Sequence, residues 1–342
     1  MKIKFWLAGL FLSVSATTAT NSFAAEVSFE QYVENLKKEA IAKGFESEFV
    51  NDHLKGLTYL NRIVAADKNQ PEFKETLDTY LPKRVPEWKV KKARDAYKEN
   101  LPLLTRISKE FGVQPRFIVS LWALETNFGR IQGKHPIIDS LVTLSYDGRR
   151  EAFFKNQLWA SLTILKEGHI SQEKFLGSWA GAMGQCQFIP TSFIAYAADG
   201  DGDGKKDIWN NKADVFASIA NYLKSEGWSN RQTWGRQVKL PVGFDKSLIM
   251  SKGSKGRRQW LNNWNDAEKS LADWSKLGVT RMNGAVLPKV SLNAVLITPD
   301  DAKGRIYLAY DNYKSLMHWN RSYYFVTSVG SLADRIGYPK IK

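Results

Sequence analysis

Cysteine is nearly absent. Cys186 is the only one in 342 residues, so no disulfide can close within the chain and the core must hold itself. Histidine is scarce too: His53, His135, His169 and His318 share no ligand spacing, which excludes a histidine-based metal centre. None of them has a partner motif that would make Cys186 a nucleophile, and a lone cysteine in a glycine-rich, apolar setting reads as a small buried filler. No stretch approaches the ~20 consecutive apolar residues of a membrane helix, and no internal repeat is visible. Acidic residues are in deficit, 35 against 49 Lys and Arg, for a net charge of +14. That imbalance suits a polyanion such as nucleic acid, an anionic membrane surface or an acidic wall polymer. No single basic cluster stands out, so the charge locates no site.

What is present begins with an address. Lys2 and Lys4 precede an apolar run at 5–14, too short to span a bilayer, and Ser22-Phe23-Ala24 offers a small-x-small cleavage point. Residues 1–24 are therefore expected to be a signal peptide and the product to be exported and soluble, which makes nucleic acid the poorest of the three partners. The 12 Trp, 13 Tyr and 18 Phe supply a large core. Phe29, Val33, Leu36, Ala40 and Ile41 recur at helical spacing, and Pro71, Pro82 and Pro86 break the chain beyond them into short helices. Helices are also expected at 101–111, 151–165, 213–226 and 329–336, and strands at 237–241, 284–288 and 294–297. The fold class is mainly α, in the α+β sense. A helical lobe is expected at 25–105, a core at 106–231, a small β lobe at 232–300, and a C-terminal segment, 301–342, returning to the core.

Three constellations carry chemistry. Glu125 closes the run Phe117-Ile118-Val119-Ser120-Leu121-Trp122-Ala123-Leu124, apolar on nearly every side and entered through Pro115. A helix apolar all round belongs inside a protein, and a carboxyl leaving it is desolvated toward its neutral, proton-carrying form. That is the state a general acid needs; the plainer reading is a solvated glutamate in a last turn ended by Gly129. The second constellation runs from Gly177 to Pro190. Its glycines permit close backbone approach, Ser178 and Gln187 offer a hydroxyl and an amide to sugar groups, and Trp179 and Phe188 offer apolar faces; tight helix packing, with Gln187 as a cap, is the alternative. The third is 199–210. Asp199, Asp201, Asp203, the Lys205 carbonyl and Asp207 fall at positions 1, 3, 5, 7 and 9 of a calcium loop, with Gly204 at the turn and Asn210 in place of the final glutamate. The alternative is an acidic turn without an ion. Near the C-terminus Tyr307, Tyr310, Tyr313, Trp319, Tyr323 and Tyr324 crowd around Asn320-Arg321-Ser322, as either glycan contacts or core.

Several of these stretches occur in an order that resembles the lytic murein transglycosylase B family. They are Leu124-Glu125-Thr126-Asn127-Phe128-Gly129, the 177–184 stretch, Thr191-Ser192-Phe193, the acidic loop, Asn221-Tyr222, Tyr310-Asp311-Asn312-Tyr313 and Trp319-Asn320-Arg321-Ser322. The resemblance covers nearly the whole chain after residue 24. It implies a lysozyme-like core with a helical lobe and a small β lobe. It also implies a carbon–oxygen lyase that cleaves the β-1,4 bond between N-acetylmuramic acid and N-acetylglucosamine without water. Glu125 would be the acid/base, and Ser178 and Asn320 would lie near the muramoyl sugar. Gln187, Tyr222 and Tyr80 would line the groove, with Trp179 and Tyr324 as further contacts. Calcium would occupy the acidic loop as a structural ion, and no organic cofactor is implied. The implied partners are peptidoglycan glycan strands and proteins of wall synthesis or division, for a periplasmic monomer. Cys186, Trp319 and Phe325 depart from the family pattern: relatives carry another small or polar residue, also tyrosine, and often tyrosine at these places. The competing readings are a hydrolytic muramidase using Asp139, Asp147 or Glu151 as a second carboxylate, and a non-catalytic wall-binding scaffold.

Overall fold

The computed structural model describes residues 27–69, 75–250, 256–300 and 304–337. The expected signal peptide at 1–24 and Pro71 lie outside them. Helices α1 (Phe29–Ala42), α2 (Ser47–His53), α3 (Asn61–Lys68), α4 (Leu77–Arg84), α5 (Glu87–Glu99) and α6 (Leu101–Phe111) lead into α7 (Pro115–Thr126), which carries Glu125. The core continues through β1 (His135–Pro136), α8 (Ile137–Tyr146), α9 (Glu151–Lys166), β2 (Leu176–Gly177), α10 (Pro190–Tyr196) and α11 (Lys212–Ser225). Then come β3 (Gly235–Lys239), α12 (Arg257–Ala267), β4 (Lys269–Ser270), α13 (Leu271–Lys276), β5 (Thr280–Arg281), β6 (Asn293–Ile297) and β7 (Ile306–Ala309). Two helices close the described chain, α14 (Asp311–Trp319) and α15 (Tyr323–Ile336). Among the described residues no helix is long and apolar enough to cross a membrane.

The reason α7 reads as apolar all round is that α5, α6, α11 and α15 surround it. Pro115 starts it, where a missing N–H is harmless, and Asn127 stops it in the left-handed region at φ 51°. Its one buried cation, Arg116, is held by Asp334 of α15 at 2.8 Å, and Asp334 also accepts the Trp234 indole at 3.0 Å. This pair locks α7 to α15 and to the start of the sheet.

The sheet runs β4-β6-β7-β3-β5 with every pairing antiparallel. Strand alternation puts Val295, Ile297, Tyr307 and Ala309 on the main core, and Val238, Leu296 and Leu308 on a second cluster around Trp274. Both faces are thus covered, and the sheet divides two cores. Its central strand β7 falls beyond the boundary expected at residue 300, because Ile306–Ala309 pairs with both β3 and β6. The strand expected at 284–288 shrinks to a single bridge between Val286 and Thr280. The segment ends in Pro288, which has no N–H for a ladder.

Gly330 on α15 shows how closely this junction is packed. A Cβ there would lie 2.1 Å from the Trp234 ring. Alanine in a helix gains about 1 kcal/mol over glycine, whereas overpacking costs about 1–3 kcal/mol. Gly330→Ala is therefore expected to lower stability by about 1–2 kcal/mol in urea unfolding. A higher midpoint would show that the ring yields freely.

Candidate active site

Burial sets the chemistry of Glu125. The side chain keeps a partial opening to solvent, yet the surrounding protein desolvates its carboxyl and pushes it up to about 7 from an ordinary 4.5. One interaction opposes this: the Trp319 indole Nε1–H, at the end of α14, donates to Oε1 at 2.6 Å. Among the described residues no second donor and no other carboxylate moves this proton. Asp139, Asp147 and Glu151 are engaged elsewhere, accepting from the Thr58 amide, the Lys68 ammonium and the Tyr32 hydroxyl. A lone carboxyl that is half protonated near neutrality can both give and retake a proton.

Rings assemble around that contact. Trp319 packs against Tyr222 at 4.8 Å and Phe188 at 5.3 Å between centroids, and Tyr222 against Tyr196 at 4.3 Å. Phe188 comes from the glycine-rich stretch, which folds as a loop and not a helix. Met183 bridges both Gly177 and Phe188, and the Ser178 amide donates to Ala182 O at 2.6 Å. The loop's base permits no side chain where Gly133 (φ +96°) meets Gly177, since a Cβ there would fall 2.0 Å from the Gly177 carbonyl. Cys186 is fully buried within it, and burial raises its thiol well above the usual range, so it is no nucleophile.

The other expected contact residues have these partners in the fold. Tyr222 is buried rather than open to a groove, and its hydroxyl donates to the His318 carbonyl at 2.7 Å, propping the residue before Trp319. The Gln187 amide nitrogen donates to Gly184 O at 2.9 Å and Gln132 O at 3.2 Å, pinning a residue with φ 52°. Tyr80, buried on α4, stands edge-on to Tyr324 at 5.2 Å and feels the charge of Glu125. The Tyr324 hydroxyl donates to Glu75 O and Asp300. Ser178 Oγ accepts the Ala182 amide at 2.9 Å, Asn320 is exposed beside Trp319, and Trp179 is half-buried against the core.

Two residues escaped sequence reasoning. Gln185 is buried with its carbonyl on the Trp122 indole at 2.7 Å and its amide on Trp209 O at 2.8 Å, stitching α7 to the loop. Its only signal was an amide amid glycines. Asp214 is fully buried in the first turn of α11 and accepts the Gly200 and Asp207 amides at 2.6 and 2.7 Å. A helix-start Asp just after an acidic loop was the available hint.

The acidic loop is only partly assembled as expected. Carboxylate oxygens of Asp199, Asp201 and Asp203 lie within 4.8 Å of one another, and none pairs with Lys or Arg. Asp199 also accepts the Gly202 and Gly204 amides, shaping the turn. Asp207 instead accepts the Trp209 and Asn210 amides at 2.9 Å, and the Asn210 amide leans on Asp207 at 3.3 Å. The aspartates have local partners as well, Asp201 the Asn211 side-chain amide at 2.7 Å and Asp203 the Lys205 amide at 2.8 Å, and the carboxylates that converge are those of Asp199, Asp201 and Asp203. Three converging carboxylates, each also accepting a local amide, offer hard-oxygen donors that fit an oxygen-loving cation.

The raised carboxyl has a cost to folding. Its folded value, about 7, exceeds the unfolded one, so its contribution favours the fold below pH 4.5 and is lost as pH rises through 7. Glu125→Gln, neutral throughout, is expected to match the wild type near pH 4 and to exceed it by about 3 kcal/mol above pH 7. Urea unfolding across that range checks it. A difference independent of pH would mean an ordinary, wetted carboxylate.

Comparison with known proteins places this geometry. The family model described as transglycosylase SLT domain matches residues 28–334. Membrane-bound lytic murein transglycosylase B of Escherichia coli (strain K12) is 29% identical over 245 residues, 70% of this chain and 61% of that protein, so the chain spans less than two-thirds of that relative. The crystal structure of SltB3 from Pseudomonas aeruginosa in complex with NAG-anhNAM-pentapeptide is 36% identical, with a TM-score of 0.83 over 90% of this chain and 79% of its own. The Escherichia coli lytic transglycosylase Slt35 in complex with calcium shares the fold at 24% identity and a TM-score of 0.72, over 91% of this chain and 94% of its own. The mainly helical body with a small sheet is the lysozyme-like arrangement of these enzymes, and the chain belongs to the transglycosylase SLT domain family.

Proposed function

We infer that the protein is a peptidoglycan lytic transglycosylase. The observation that carries this reading is the Glu125 carboxyl at the end of buried α7, held by the Trp319 indole at 2.6 Å and raised by burial, with no second carboxylate acting on it among the described residues. Protonated Glu125 donates to the glycosidic oxygen as the bond lengthens and positive charge grows at C1 of the muramoyl sugar. The sugar's own N-acetyl group shelters that centre, as in substrate-assisted glycosidases. Ionised Glu125 then removes the proton from the C6 hydroxyl, which attacks C1 and closes a 1,6-anhydro ring. No water attacks, so no second carboxylate is required to hold one. Ser178, whose Oγ already accepts the Ala182 amide, keeps its hydroxyl proton for an acetamido carbonyl. Exposed Asn320, next in the chain to Trp319, offers its amide N–H groups, since its carbonyl takes the Ser322 amide. The net positive charge suits the anionic wall, and the molecule bound in the SltB3 complex, NAG-anhNAM-pentapeptide, is a fragment of that wall carrying the anhydro ring. The reading includes export to the periplasm and action as a monomer on glycan strands.

Two measurements decide it. Sacculi digested by the wild type should release muropeptides lighter by one water than the muramidase products, and Glu125→Gln should lower their release by at least about 10³-fold while still binding sacculi. Hydrated products would favour the muramidase, and binding without release by the wild type the scaffold. Calcium is proposed as the ion of the Asp199, Asp201 and Asp203 cluster, in a structural role, consistent with the calcium complex of Slt35. At about 100-fold excess over its dissociation constant it should add about 3 kcal/mol of stability, reversed by chelator and absent in Asp201→Ala. An unchanged melting temperature in calcium would refute it.

A further inference from the structure

Trp319 does more than fill space beside the acid. Its indole N–H is a donor and never an acceptor, and it does not titrate in the working range. The 2.6 Å contact therefore obliges Oε1 of Glu125 to accept in both protonation states. We propose that Trp319 is the positioning residue of the acid. It confines the transferable proton to Oε2, aims that oxygen at the substrate, and stabilises the carboxylate that must reclaim a proton afterwards. The inference rests on Glu125 being the proton donor of the reaction.

The surroundings are built to hold that indole. Tyr222 and Phe188 pack against its ring. The backbone before it is anchored by the Tyr222 hydroxyl on His318 O. The His318 ring in turn meets Glu226 at 2.5 Å, where Arg257 also binds at 2.9 Å and Tyr196 donates at 2.5 Å. The indole is thus fixed by α11 and α14 together, not by the acid it contacts. The titratable groups that feel Glu125 are the Tyr80 phenol from α4 and the Cys186 thiol from the loop. Both are raised by burial, so neither changes charge near neutrality, and Arg84 stands over the Tyr80 ring at 5.2 Å. Trp319 is the one hydrogen-bond donor acting on the carboxyl among the described residues.

A direct titration tests this without turnover. With 13C-labelled glutamate, the Glu125 carboxyl resonance, assigned by its loss in Glu125→Gln, is followed against pH in the folded protein. Trp319→Phe removes the donor and should move the midpoint up by about one unit, carrying the alkaline limb of kcat/KM with it. Trp319→Tyr keeps an O–H and should restore both toward the wild type. In the wild type itself, the Trp319 indole N–H resonance should shift with the same midpoint as the carboxyl, which serves if the Phe variant folds poorly. A Phe variant titrating with the wild-type midpoint, or an indole resonance indifferent to pH, overturns the proposal. Failure of the lyase reading would show separately, as wild-type protein that releases no anhydro-muropeptides while the two resonances still titrate together.

Discussion

One constraint organises the molecule: a carboxyl must be desolvated enough to hold a proton near neutral pH, yet stay reachable. Burial of α7 on all sides provides the first half. Four helices enclose it, and the Arg116–Asp334 pair fixes the register of α7 against α15. Because α15 also abuts Trp234 at the start of the sheet, the β lobe is tied to the acid's helix through shared partners and not through a flexible linker. The half-open position at the helix end provides the second. A carboxyl one turn earlier, at Leu121 or Trp122, would be sealed.

Most of this frame was legible in the residues. The helical spacing from Phe29, Pro115 at the start of α7 and the apolar run before Glu125 each report a local physical cause and stand where their pattern put them, whereas the helix expected at 329–336 begins earlier, at Tyr323. Legibility failed where the cause was distant. Nothing near 300 announces that Ile306–Ala309 will pair on both sides, since a central strand's partners lie some 10 and 70 residues earlier. Likewise 284–288 has a strand's composition without a ladder to join. Composition alone cannot see pairing.

The site divides along the same line. Glu125 was readable from its helix, but its hydrogen-bond partner lies 194 residues on and was visible only as one aromatic among many. Tyr222 and Gln187 were read by what their side chains can offer a sugar. In the fold the Tyr222 hydroxyl and the Gln187 amide nitrogen each donate to a backbone carbonyl, which a crowded loop or helix end would otherwise leave without a donor. The acidic loop shows the same competition. Asp199 and Asp207 both have the spacing of a ligand, and backbone amides within their own turns bond to both carboxylates. Spacing identifies what a residue can reach, and unsatisfied neighbours decide what it holds.

The balance at Glu125 leaves little room for a second donor. Raising a carboxyl from 4.5 to about 7 corresponds to about 3 kcal/mol of disfavoured ionisation, net of what Trp319 returns. A hydrogen bond to a charged group contributes about 1.5–3 kcal/mol. One such bond therefore tempers the desolvation, whereas two would cancel it and leave an ordinary carboxylate, ionised before substrate arrives. An indole suits that narrow allowance, since it has a single N–H and no way to accept in return. With no second donor acting on it among the described residues, Glu125 holds its proton near neutrality, the state the proposed acid requires, and one fixed contact steadies the anion.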